Sequence, residues 1–138
     1  GAIQPWLARY LPGVPVVPLI FHRSGTQEKI ADILVVLQPW LDQGAVLIAS
    51  IDFSHGLDRT GAAARDQEMT AYLKKNEYKK IARLDSSYLD GPEILAAMMQ
   101  YFTDYTDLTV NILANINGGD ILNYPPGMEV TSYFLLAY

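Results

Sequence analysis

Residues 45–56 read AVLIASIDFSHG, and the fold turns on how Ala45–Ile51 is read. This run is apolar or small, uncharged, and flanked by polar residues. Such a run suits a strand buried on both faces of a sheet. Upstream, Val14–Phe21 (VPVVPLIF) is a second nearly continuous apolar run, in which Pro15 and Pro18 favour an edge position or an irregular start. Between the two, Ser24-Gly25-Thr26-Gln27 offers N-cap residues. Ile30, Ile33, Leu34, Leu37 and Leu41 then recur at helical spacing as one apolar stripe, and Gly44 suits the position just past the helix end. Strand, helix and strand within about 40 residues make a βαβ unit with a right-handed crossover. The expected fold class is therefore α/β, a mainly parallel sheet flanked by helices.

Downstream, helical signals run from Gly61 to Tyr105. Ala62–Glu77 carries Met69, Tyr72 and Leu73, and Tyr78–Leu84 reads as a shorter helix. Pro92 is suited to open a third helix, with Ile94, Leu95, Met98, Tyr101 and Phe102 on its stripe. Two β-rich segments follow, Leu108–Ile116 and Val130–Tyr138, separated by the turn formers Asn117-Gly118-Gly119-Asp120 and Tyr124-Pro125-Pro126-Gly127. No repeat or low-complexity tract interrupts the pattern. Residues 1–138 are read as one α/β domain, a size with enough apolar content (50%) to bury a core.

The formal charge of −5 and the scatter of the ten Lys and Arg residues argue against nucleic-acid binding, which rests on clustered cations. No run of about 18 apolar residues suggests a membrane span. The absence of cysteine removes disulfides, thiolate metal sites and Cys nucleophiles, and fits a cytoplasmic setting.

Ligands of open α/β sheets bind beyond the carboxyl ends of the strands, which is where Asp52, Ser54 and His55 follow Ile51. A His with a carboxylate three residues away can be held in one tautomer and act as acid or base. The same residues also suit an ordinary turn, with Asp52 or Ser54 capping it and His55 solvated. A Ser54–His55–Asp52 hydrolase is disfavoured, because adjacent side chains diverge and the G-x-S-x-G elbow is absent. Asp90, before Gly91-Pro92, is either an N-terminal helix cap or a carboxylate available to a metal or to an acid–base partner. His22 follows the first apolar run and reads mainly as a loop residue. Asp66, early in its helix, either favours the helix dipole or reaches His55. Asn115, Asn117 and Asp120 surround a Gly-Gly turn.

The stretch AVLIASIDFSHG resembles the strand-then-motif signature of the Memo family, which includes the AmmeMemoRadiSam system protein B. IQPWLARYLPGVPVVPLIF is similar to that family's Leu-Pro-aromatic helix leading into a VPV-type strand. YLDGPEILAAMMQYF is similar to its Cys-Gly-x-x-Pro-Ile helix start, with Asp90-Gly91 at the Cys-Gly position, and EVTSYFLLAY to its closing strand. IDFSHG is the one sharp motif; the rest is order and pattern. The resemblance implies a partial Memo or class III extradiol dioxygenase-like fold. Dioxygenases of that class bind non-haem Fe(II) through two histidines and a carboxylate. On this likeness His55 is the catalytic acid–base residue, Asp52 the motif aspartate beside it, and Asp90 a ligand to Fe(II) or another divalent metal. The two family histidine ligands have no counterpart here, and His22 matches neither. Together with a chain that opens Gly-Ala-Ile, this implies the C-terminal part of a longer Memo-like protein, with an incomplete ligand set. Expected partners are a small-molecule substrate or a peptide, and AMMECR-type and radical SAM proteins of the same system. The alternative is a non-catalytic module binding a phosphopeptide or partner protein in a degenerate cleft.

Overall fold

The computed structural model describes residues 3–22 and 25–138. Gly1, and Ser24 of the capping stretch, lie outside these. Six helices and four strands follow in the order α1 (Gln4–Tyr10), α2 (Gln27–Leu41), β1 (Leu57–Asp58), α3 (Arg59–Lys74), α4 (Tyr78–Ile81), α5 (Pro92–Thr106), β2 (Asn111–Asn117), α6 (Gly118–Leu122), β3 (Glu129–Val130) and β4 (Ser132–Ala137) among the described residues.

Each long helix starts where local chemistry supplies a start. Thr26 Oγ1 accepts the Lys29 N–H at the head of α2, and the Asp58 carboxylate accepts the Gly61 N–H at the head of α3. Pro92 occupies the first turn of α5 behind Gly91, where its missing N–H costs no helical bond. Asp90 therefore does not cap α5. Pro39 sits in the last turn of α2, which ends two residues later, and the Gly44 N–H closes on the Leu41 carbonyl.

The helices bury two adjoining apolar clusters. Ile30 and Leu34 of α2 pack on Ala97, Met98 and Tyr101 of α5, with the Tyr101 hydroxyl donating to Gln38. Met69 and Leu73 of α3, Ile81 of α4 and Leu95, Ala96 and Met99 of α5 enclose Phe53 and Leu89, with Ile112, Phe134 and Leu136 closing one side. Tyr72 and Tyr78 pack half-buried against this second cluster. The alternation of large and small side chains on α5 lets it serve both clusters at once.

Mixed α/β content is present, but the sheet differs from expectation. Both sheets are antiparallel pairs: β1 with β3, and β2 with β4, the latter interrupted by a bulge between Ile112 and Ala114. No parallel pair occurs among the described residues. Residues 14–20 and 45–51, expected as parallel strands, are apolar and irregular, and they carry no ladder. Their apolar content sets a preference for a doubly covered environment, but a strand also needs a neighbour to take its N–H and C=O groups. Only the end of the second run finds neighbours. Phe53 bridges Leu89, the Asp90 N–H donates to the Asp52 carbonyl, and backbone bonds join Phe53 and Ser54 to Ser132. Residues 52–54 are thus threaded between the approach to α5 and the start of β4, which fixes the position of His55.

A second clamp holds the turn between β2 and β3. The Asn117 side chain accepts the Asp120 N–H, and Arg59 donates to the Gly119 carbonyl at 2.6 Å while pairing with Asp120 at 3.3 Å. A Cβ at Gly119 would stand 2.7 Å from Val130 Cγ1 and 3.1 Å from Asn117 Oδ1. Gly119→Ala is therefore expected to destabilise the protein by about 1–3 kcal/mol, as overpacking does, measured by urea unfolding. No described helix is long and apolar enough to cross a membrane.

Candidate functional site

The segment that carries the motif buries two consecutive side chains between more exposed ones. Phe53 and Ser54 are buried, Asp52 is exposed and His55 is partly exposed. Phe53 points into the cluster and meets the Phe134 ring at 4.6 Å between centroids, tilted by 45°. Gly56, at φ +69°, then turns the chain through a left-handed conformation that only glycine adopts without strain, and Leu57 enters β1.

His55 and Asp90 are brought together although 35 positions separate them. His55 Nε2 lies 3.3 Å from Asp90 Oδ1, with side-chain exposures of 33% and 59%. The other ring nitrogen, Nδ1, faces the Phe53 carbonyl at 3.2 Å. Both nitrogens therefore look at oxygen acceptors. As an imidazolium the ring donates at both; as a neutral ring it donates at one alone. The Asp52 carboxylate has no hydrogen bond to His55. Its backbone carbonyl instead anchors the Asp90 N–H at 2.9 Å, so Asp52 positions the partner rather than the ring.

Ser54 is not exposed for nucleophilic attack. Its hydroxyl is buried and donates to Asp66 Oδ1 at 2.9 Å. Asp66, itself buried on the inner face of α3, accepts a second bond from Asn115 Nδ2 at 3.0 Å, and Asn115 also donates to the Tyr133 carbonyl at 3.2 Å. Asp66 therefore reaches Ser54 rather than His55. This network ties the motif segment to α3, β2 and β4. It was hard to see from sequence because Asn115 stands in a β-rich run beside an evident turn, and its inward reach depends on the register of β2 with β4. Asn117 and Asp120 are occupied in the α6 cap. His22 ends the first apolar run, its carbonyl accepting the Gly25 N–H. A cleft of about 460 Å³ opens between α1 and residues 11–16, and its lining includes neither His55 nor Asp90.

The donor set at the pair is one imidazole and one carboxylate. A two-histidine, one-carboxylate site for Fe(II) or another divalent metal needs a third protein ligand. Among the described residues no group of three or more His, Cys, Asp or Glu side chains is placed to hold a metal ion. The described residues do not by themselves fit a complete metal site. No protein-family model, curated protein or solved structure matches this chain.

Proposed function

We propose that this chain carries the acid–base half of a Memo-like site related to those of non-haem iron-dependent dioxygenases, with metal-dependent oxidoreductase chemistry completed by residues outside the chain. The observation that supports this reading is the clasp of His55 between the Phe53 carbonyl and Asp90. A partly open imidazole with one nitrogen on a backbone carbonyl and the other on a carboxylate suits a residue that takes a proton from a bound small molecule and returns it. On this reading the Phe53 carbonyl holds the ring at Nδ1, and Asp90 gives up Nε2 when a substrate proton is taken there. Asp90 also offers an oxygen to a divalent metal when the remaining ligands are supplied. Asp52 is exposed two residues before Ser54. A cytoplasmic setting, with AMMECR-type and radical SAM proteins as partners, belongs to the same proposal.

The second reading is a binding module for a phosphopeptide or partner protein. The two-donor set favours it, while the acidic balance of the chain opposes phosphate. Mn(II) titration followed by NMR distinguishes the two. The acid–base and metal reading predicts that the His55 ring and the Asp90–Gly91 amides broaden first, and that this selectivity disappears in Asp90→Asn. Broadening that starts at other carboxylates and spares His55 would tell against it. A phosphotyrosine peptide that shifts the His55 and Asp90 resonances without metal would favour the binding module.

A further inference from the structure

Along the chain the ten Lys and Arg residues look scattered, yet five of them, Lys74, Lys75, Lys79, Lys80 and Arg83, fall within residues 74–83, and residues 84–138 contain none. Glu77 is the single carboxylate in that stretch, so it is net +4 in a chain of net −5, and the rest of the chain is net −9. The fold gathers these cations. Lys74 ends α3 and Lys75 caps it. Asn76, at φ +53° and with its side chain donating to Thr103 at 2.8 Å, then turns the chain into α4. The turn brings Lys80 back over the Tyr72 ring of α3, 4.2 Å from its centroid. Asn76, Glu77, Tyr78, Lys79 and Lys80 line a shallow hollow of about 410 Å³.

All five cations are exposed. Among the described residues, Lys80 alone of the five pairs with a carboxylate, Glu77 at 3.5 Å. The helix dipole accounts for Lys74 and Lys75, which stand at the end of the 16-residue α3, because the dipole acts within the last turn. It does not account for the other three. Helix α4 is four residues long, and Arg83 lies beyond it. Like charges held this close repel one another in the free protein, and an anion placed among them relieves that repulsion.

We propose that residues 74–83 dock a carboxylate-rich segment of another polypeptide. The size of the patch selects the occupant. Ten residues wound into the end of α3 and α4 make a spot about 15 Å across, which four or five extended residues span at roughly 3.3 Å each. A nucleic-acid duplex or a membrane surface is a far larger polyanion. Either would bring its remaining charge against a surface that is net −9 outside the patch. A second copy of this chain does not supply the segment, because no ten-residue stretch of it holds more than three carboxylates. Lys80 and Lys79 stand over the Tyr72 and Tyr78 rings at 4.2 and 6.0 Å, so two of the charged heads are placed before a partner arrives. This proposal is independent of the acid–base reading of His55.

Fluorescence anisotropy of the 138-residue chain with a fluorescein-labelled hexaglutamate peptide tests it. The salt is held at about 20 mM NaCl, where charges act over a distance longer than the patch. Saturable binding is expected. Lys79→Ala with Arg83→Ala is expected to weaken it by about five- to tenfold, the loss of two exposed ion pairs, and Lys79→Glu alone by a similar factor. Thr60→Glu with Ala63→Glu lowers the net charge by the same amount at exposed positions about 20 Å away, at the opposite end of α3. That variant is expected to leave the affinity within about twofold. The substituted cations make no ion pair in the chain, so the urea midpoints of the patch variants are expected to match the wild type. Absence of saturable binding by the wild-type chain would overturn the proposal, as would an equal loss in the Thr60 and Ala63 variant. Tighter binding of hexathymidylate or of phosphatidylserine vesicles than of the peptide would overturn it as well.

Discussion

Phe53→Ala is expected to lower stability by about 4 kcal/mol, the range for truncating a buried aromatic. The ring is nearly inaccessible and stands at the centre of the larger cluster, against Phe134 and among Met69, Leu73, Leu89 and Met99. Its removal leaves a void bounded by three helices and β4, and the residues around it are held by their own elements, so little of the void can collapse. A functional consequence follows from the same position. The Phe53 carbonyl accepts from His55, and the backbone of residues 52–54 is what joins Leu89–Asp90 to Ser132. Loss of the ring therefore loosens the clasp as well as the core. Urea unfolding gives the first effect, and the dispersion of His55 and Asp90 resonances gives the second. Phe53→Leu should recover most of both, because volume-conserving apolar changes usually cost less than about 1.5 kcal/mol.

Asp66→Ala is expected to cost about 3 kcal/mol. Hydrogen bonds to a charged group contribute about 1.5–3 kcal/mol, and the partners left behind bear their own desolvation. Ser54 Oγ is buried and has no other partner, and the Asn115 amide loses the bond that ties β2 to α3. Asp66→Asn keeps the shape and one acceptor, so it should cost less, because its oxygen can still take the Ser54 proton. A loss in Asp66→Asn as large as in Asp66→Ala would mean that an amide oxygen does not replace the carboxylate at Ser54 and that the shape it keeps contributes little. The check is chemical denaturation of both proteins with unchanged slope, which separates stability from compactness.

The same residues show how far the chain could be read in advance. The apolar stripes of α2 and α5 are strong signals at helical period, and Thr26 and Pro92 mark their starts, so these helices were legible. The two strands β2 and β4 were legible as β-rich runs, but their antiparallel pairing was not, since the sequence reading expected a mainly parallel sheet. The strands expected at 14–21 and 45–51 were not realised among the described residues. Their composition describes what they prefer to be buried against, and the partner that would supply it is not local to those runs. The strands β1 and β3 are two residues each, too short to carry any period. Asp58, the cap of α3, was hidden in a polar stretch where any of several residues could cap.

The site was legible in part for the same reason. His55 follows from the placement of a titratable group beyond an apolar run. The neighbour of its ring does not follow from spacing. Asp52 is close in sequence but exposed, while Phe53 and Ser54 take the buried positions after it. Asp90 reaches the ring because Gly91, not Asp90, caps α5, and because the Asp90 amide is pinned to the Asp52 carbonyl.

The His55–Asp90 unit is tested most directly by carbethoxylation read by mass spectrometry at each of the two histidines, with His22 as the internal reference. With both ring nitrogens engaged, Asp90→Ala is expected to raise the rate at His55 about fivefold, the equivalent of one hydrogen bond of about 1 kcal/mol, and to leave His22 unchanged. A His55 rate that is the same in both proteins would contradict the pairing on which the proposed acid–base role depends.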